Sequence, residues 1–346
     1  MDNTKKRLNY IDCLRGLCML FVVYHHMIVM GMRDCGYESA LNSFICTFQM
    51  PCFFFISGFV GYKMTTDNSC STIRSFMDII WKKFRFLIIP TVSFFIISML
   101  YYKLDWKEWI FTDFKSGYWF MLASFQVFLI YAIIKGGGKY LKNSLVPFAL
   151  LASCAIVLIA YKLIPENNKI AQLLSLNLVL LYYPYFIFGA LCKHYRKSLH
   201  KLIENKWFNT CLFFLFVLTI AWPLQNIFLA YIYTAIKILA FYTCFYLLRD
   251  VFEKDNFVVN GLTNIGKHTI EIYLLHFFLL FKIDAVANLL NTLSADYCFR
   301  GHSCATLVEF FIVGTIAIVN SEICIYIRKI IDIFPFPSMI LFGPKR

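Results

Sequence analysis

The chain has 346 residues, of which 60% are hydrophobic, 19% aromatic and only 15% charged, with 33 Lys and Arg against 20 Asp and Glu. Soluble domains carry about a quarter charged residues, so a soluble enzyme, a disordered chain, a coiled coil and a disulfide-stapled secreted domain are all excluded. The apolar share leaves room for about ten membrane-spanning helices of roughly 20 residues and little for a separate soluble domain.

In such a chain the formal net charge of +13 belongs to cytoplasmic loops and is no footprint of nucleic-acid binding. The 13 cysteines contain no C-x-x-C pair. Most sit singly in apolar runs, where a thiol behaves as a small hydrophobe. Cys298 and Cys304 flank a loop expected outside, where a disulfide can form, with inert thiols the favoured reading. No metal framework is visible.

Apolar runs lie near 10–32, 41–62, 84–102, 118–134, 145–164, 173–192, 207–223, 227–248, 269–290 and 305–327. Each has the length of a span. The first carries Arg15, His25 and His26 and no small-residue cleavage site follows it, so it reads as a span and not as a signal peptide. With the N-terminus inside, 23 Lys and Arg fall in cytoplasmic stretches and 7 outside, while Arg15, Lys237 and Lys282 lie within spans. This asymmetry predicts an all-α integral membrane protein, a bundle of about ten transmembrane helices with both termini cytoplasmic. No internal repeat appears, and residues 1–346 are expected to form a single transmembrane domain.

Ionisable residues inside spans are costly and so mark candidate sites. Arg15 and His26 are eleven residues apart, about 16.5 Å of rise and roughly 20° of rotation, hence three turns along one face. Asp12 precedes Arg15 by three residues and can pair with it. One stripe therefore carries a cation near the cytoplasm and a proton acceptor deeper in. His25 points some 100° away and reads as packing. In the second run, Pro51 can kink the helix and Ser57-Gly58 permits close helix approach. Lys82, Lys83 and Arg85 cluster at the entrance of the third, as membrane anchors or as cations for phosphate groups. Tyr118-Trp119-Phe120 opens the fourth run. In the ninth, Thr269, Tyr273 and His276 share a stripe, with His276 about 10 Å above Thr269 and short of the depth of His26. A supporting role suits it, either lining a channel or bridging two helices. Glu271 faces elsewhere and is a partner for Lys237 or Lys282.

These residues resemble the bacterial membrane acyltransferase-3 family, which acylates cell-surface glycans. The likeness starts in Tyr10-Ile11-Asp12-Cys13-Leu14-Arg15-Gly16-Leu17 and the Arg-x10-His spacing of Arg15 and His26. It continues through Met50-Pro51, Ser57-Gly58-Phe59, Lys82-x-x-Arg85 before Pro90, Tyr118-Trp119-Phe120 and the stretch from Gly266 to His276. Lys82 stands where arginine is common and Thr269 where serine is common.

The resemblance implies transfer of an acyl group, usually acetyl, from cytosolic acyl-CoA to a hydroxyl of a cell-surface glycan or lipid-linked sugar. The place would be the cytoplasmic (inner) membrane of a bacterium, among its lipids. Acyl-CoA would be a substrate, with no permanently bound cofactor. His26 is then the expected general base. Arg15, Lys82 and Arg85 are expected to converge on acyl-CoA phosphates, with Asp12, Trp119, Thr269, Tyr273 and His276 in support. Tyr273 or Trp119 would face the developing oxyanion. Two rivals stand beside this reading. One is a polysaccharide exporter, flippase or other secondary transporter, against which the missing internal repeat argues. The other takes His25 or His26 with His276 as haem or metal ligands.

Overall fold

The computed structural model describes residues 8–32, 38–66, 73–103, 105–137, 145–165, 167–221, 226–294 and 299–344; its regular elements there are helices, with no strand among the described residues. A bilayer offers backbone amides no water, so a chain this apolar pairs them within helices. Among the described residues, seven helices are long and apolar enough to cross a membrane: Asn9–Gly31, Ala40–Tyr62, Met77–Tyr102, Val146–Leu163, Leu176–His194, Phe228–Leu247 and Ser303–Ile331. Arg196–Ile203 and Lys206–Ala221, bent by 86°, make an eighth if they are one broken span. Shorter apolar helices cover Trp119–Ile134 and Thr269–Leu279. Each of the ten expected runs thus holds a helix, but seven or eight have the length and composition of a span.

The largest departure falls on the run expected across 269–290. Its α-helix stops at Leu275, tightens into a 3-10 turn over His276–Leu279, and restarts only at Asp284–Ser294. Neighbouring helices satisfy the freed backbone groups: Asn320 Nδ2 donates to the Leu279 carbonyl at 3.2 Å, and the Ile283 N–H donates to the Gly31 carbonyl at 3.0 Å. A second break, at Thr47–Phe48, separates Ala40–Cys46 from Gln49–Thr66. Pro51 has no N–H to offer the Thr47 carbonyl four residues back. The Thr234 hydroxyl donates to that carbonyl instead, at 3.2 Å. Cys298 lies outside the described residues, and Cys304 is an exposed thiol.

The chain divides into two compact units, Met1–Phe53 with Lys201–Ile330 and Phe54–His200 with Ile331–Arg346. In the first, Asn9–Gly31 runs parallel to Phe257–Lys267 and Thr269–Leu275 at a constant offset of 250 residues. Cys13 Sγ lies 3.1 Å from Thr263 Oγ1, and His26 meets His276 at the same offset. Between them Gly16 and Gly266 let the backbones touch. A Cβ at Gly266 would lie 1.9 Å from the Asp12 carbonyl oxygen, and one at Gly16 would lie 2.1 Å from that of Leu262.

In the second unit, Gly58 and Gly189 play the same part. A Cβ at either would lie 1.9 Å from the carbonyl oxygen of Phe186 or Phe55 respectively. The close helix approach expected at Ser57-Gly58 is therefore present. Lys115 clasps the turn before Trp119 by donating to the carbonyls of Ile110, Thr112 and Gln172 at 2.7, 3.0 and 2.9 Å.

Candidate active site

The first unit brings two imidazoles together in its interior. His26 Nδ1 and His276 Nε2 are 3.0 Å apart, and His276 Nδ1 lies 3.0 Å from the Ile272 carbonyl oxygen. A carbonyl only accepts, so Nδ1 of His276 carries a proton. In a neutral His276, Nε2 is then an acceptor and must receive the proton on His26 Nδ1. Neutral His26 is left with its lone pair on Nε2. This assignment of tautomers follows from the partners each nitrogen meets. Exposure separates the roles: His276 is completely buried, whereas His26 is half-buried and can meet a substrate. Phe277 lies beside both rings, 4.7 Å from His26 and 4.0 Å from His276, centroid to centroid.

The expectation that His276 falls short of His26 in depth is thus corrected. It assumed that the helix starting at Thr269 begins level with the first helix. Through Gly16 and Gly266 the two backbones are in contact ten residues before each histidine, so both imidazoles arrive at one level. Its helix-bridging role is present, through His26. We expect His276→Gln, whose carbonyl oxygen can still accept from His26 Nδ1, to keep most turnover. His276→Ala should lose about 10–100-fold, as other residues that orient a reacting side chain do. The loss should fall in kcat with KM unchanged and with an altered pH profile. Equal activities of the two variants would remove the orienting role.

Of the other expected residues in this unit, Arg15 Nη1 stands 3.8 Å from Asp12 Oδ1, with Asp12 buried and Arg15 half-buried. Tyr273 is buried with its ring centroid 6.1 Å from that of His276, and Thr269 opens the same helix, half-buried. Lys82, Arg85 and Trp119 belong to the second unit. Lys82 is exposed and Arg85 half-buried, both within the helix Ile73–Tyr102 and not before it. Trp119 is buried in an aromatic stack, 6.4 Å from Phe54 and 5.2 Å from Tyr182. Its place there is that of a packed side chain.

One group went unnoticed in the sequence. Glu309 is completely buried in the helix Phe299–Ile331 and accepts from the Tyr24 hydroxyl and, at 2.5 Å, from Ser39 Oγ. The rule that flags ionisable groups inside spans would have found it. His25, expected to pack, instead meets the side chains of Asn42 and Cys46. Lys237, which with Lys282 was one of two cations expected near Glu271, donates to Thr47 Oγ1 at 2.8 Å and lies over the Phe44 ring. No group of three His, Cys, Asp or Glu that could hold a metal ion occurs among the described residues.

A half-buried imidazole with a fixed basic nitrogen, set among apolar helices, is equipped to take a proton from a hydroxyl. The chain belongs to the acyltransferase-3 family, whose model, an acyltransferase domain, matches residues 8–324. With its long apolar helices it is a multi-pass membrane protein of that family. No curated protein and no solved structure matches the chain.

Proposed function

We propose that the protein moves an acyl group, acetyl in the simplest case, from cytosolic acyl-CoA to a hydroxyl of a cell-surface glycan or lipid-linked sugar. The observation that carries this reading is the half-buried His26 imidazole, whose Nδ1 donates to His276 and whose basic nitrogen is therefore Nε2. His26 takes the proton as the sugar oxygen attacks a thioester carbonyl, and the C–S bond then breaks to release a thiolate that regains the proton. Tyr273, beside His276, is the candidate donor to the oxyanion formed on the way.

Arg15, with Asp12 against it, supplies a cation eleven residues before His26, on the side where the phosphates of a cytosolic donor would arrive. Lys82 and Arg85 offer further cations in the second unit. Removing Arg15 as Arg15→Ala should weaken acyl-CoA binding by roughly tenfold to a hundredfold, since a charge-assisted contact contributes roughly 1.5–3 kcal/mol. Unchanged affinity, measured by calorimetry on the detergent-purified protein, would take Arg15 out of that role.

In this reading all ten apolar segments cross the cytoplasmic membrane of a bacterium, and both ends face the cytosol. A reporter fused after Arg346 should be active inside the cell; one active only outside would overturn the topology. The reaction itself is tested in proteoliposomes with radiolabelled acetyl-CoA on one face and a sugar acceptor on the other. Label in the acceptor supports the proposal. Movement of unlabelled sugar across the membrane without loss of acetyl-CoA would favour an exporter or flippase.

A further inference from the structure

His25, next to the histidine pair in sequence, is a half-buried imidazole for which the chemistry above has no use. Its Nδ1 is 3.0 Å from Asn42 Oδ1, and Cys46 Sγ donates to the same oxygen at 3.7 Å. A carboxamide oxygen only accepts, so Nδ1 carries the proton of the neutral ring and the lone pair stays on Nε2. His26, whose Nδ1 donates to His276, is held in the same tautomer. The His25 and His26 rings stand 5.1 Å apart, centroid to centroid, with their planes tilted by 52°. Each thus turns its donor to the protein and keeps Nε2, the nitrogen further from the backbone, as an acceptor.

The surroundings hold His25 in this state. Ser39 Oγ caps the helix Ala40–Cys46 by accepting from the Asn42 N–H at 2.8 Å and donates in turn to the buried Glu309. Tyr24, directly before His25, donates to the same carboxyl. Glu309 therefore anchors both the helix of His25 and the helix of its amide partner. Bridging those helices needs Nδ1 alone and leaves Nε2 unused. Among the described residues no hydrogen bond is made at His25 Nε2. A lone pair there suits a hydroxyl, which has a proton to give, and not a carboxylate or phosphate oxygen, which has none. Sugars carry hydroxyls on adjacent carbons, so one that offers a hydroxyl to His26 offers the next within a ring's width.

We propose that His25 Nε2 accepts a hydrogen bond from the hydroxyl beside the one that His26 deprotonates, so that the acceptor is a vicinal diol. This rests on the acyl transfer proposed above, with His26 as base, and names the acceptor class of that site. His25 binds and orients the sugar, and Asn42 is the positioning residue that keeps its lone pair on Nε2. The second hydroxyl keeps its proton throughout, so the balance of the transfer is unchanged. An acceptor without that hydroxyl leaves a polar group of the site unmet, which is how such sites reject a deoxy analogue.

The test uses the full-length protein in detergent with radiolabelled acetyl-CoA. The acceptors are the methyl glycosides of glucose, galactose and mannose, each beside its monodeoxy analogues. Removing the reacting hydroxyl should abolish transfer. Removing one neighbouring hydroxyl should lower kcat/KM about tenfold in the wild type, chiefly through KM, as loss of one hydrogen bond does. In His25→Phe, which keeps an aromatic ring at this position, the intact and deoxy sugars should react equally well. His26→Ala should slow both sugars by one factor and so keep the discrimination. A wild type indifferent to every neighbouring hydroxyl would overturn the proposal, as would a His25→Phe protein with wild-type discrimination. Either result leaves the acyltransferase reading standing, because label still reaches a sugar. No label in any glycoside, with acetyl-CoA intact, would remove both.

Discussion

His26→Ala is expected to insert and fold normally yet to transfer acyl groups about 10²–10⁴-fold more slowly, the usual contribution of a general base. Folding should survive because the substitution removes one half-buried ring and leaves the apolar faces of Asn9–Gly31 in place. His276 keeps its bond to the Ile272 carbonyl and loses only an acceptor role, which leaves a lone pair unmet and no donor stranded. The loss should lie in kcat, because His26 acts on the acceptor proton and not on the acyl-CoA phosphates. Thermal melting in detergent alongside the rate assay separates the two effects. A variant that melts like the wild type and still turns over at the wild-type rate would remove His26 from the chemistry.

The largest expected effect on stability belongs to Gly266. An alanine Cβ there meets the Asp12 carbonyl oxygen at 1.9 Å, and backbone cannot swing aside as a side chain can. The Gly266→Ala protein should lose at least the roughly 1–3 kcal/mol typical of an overpacked core, or fail to fold. Gly261→Ala is the matched control on the same helix, since a Cβ at Gly261 meets nothing within 4 Å. Alanine is the better helix former by about 1 kcal/mol, so that control should melt at or above the wild-type temperature. Size-exclusion profiles and melting curves of the two variants decide it. Equal behaviour would mean that the 250-residue register is not held by backbone contact. That register also sets His26 level with His276, so a tolerated Gly266→Ala should still show slower turnover.

Much of this architecture was legible in the sequence because a bilayer permits so few answers. Runs of apolar residues had to become helices, and each expected run holds one. The Asp12–Arg15 pairing and the Pro51 break followed from helix geometry and the missing N–H of proline. Other features depend on which helices touch, and no single segment records that. The stretch 269–290 contains neither Pro nor Gly to announce its break; the break is tolerated because Asn320 and Gly31 meet the freed groups from elsewhere. His276 was placed too shallow for the same reason, since depth depends on the partner's register. His25 looked like packing because Asn42 and Cys46 reach it from another helix. Glu309 was visible in principle, as a carboxylate inside an apolar run, and its partners Tyr24 and Ser39 lie some 270 residues or more away in sequence.

The claim that this fold performs acyl transfer with His26 as base is tested most directly by counting two products in one tube. Purified protein in detergent is given radiolabelled acetyl-CoA and a sugar acceptor, and free CoA thiol and labelled sugar are followed together. The account predicts that the two rise in equal amounts and that both fall in parallel in His26→Ala. Labelled sugar forming as fast in His26→Ala as in the wild type, or no labelled sugar with any acceptor, would contradict it.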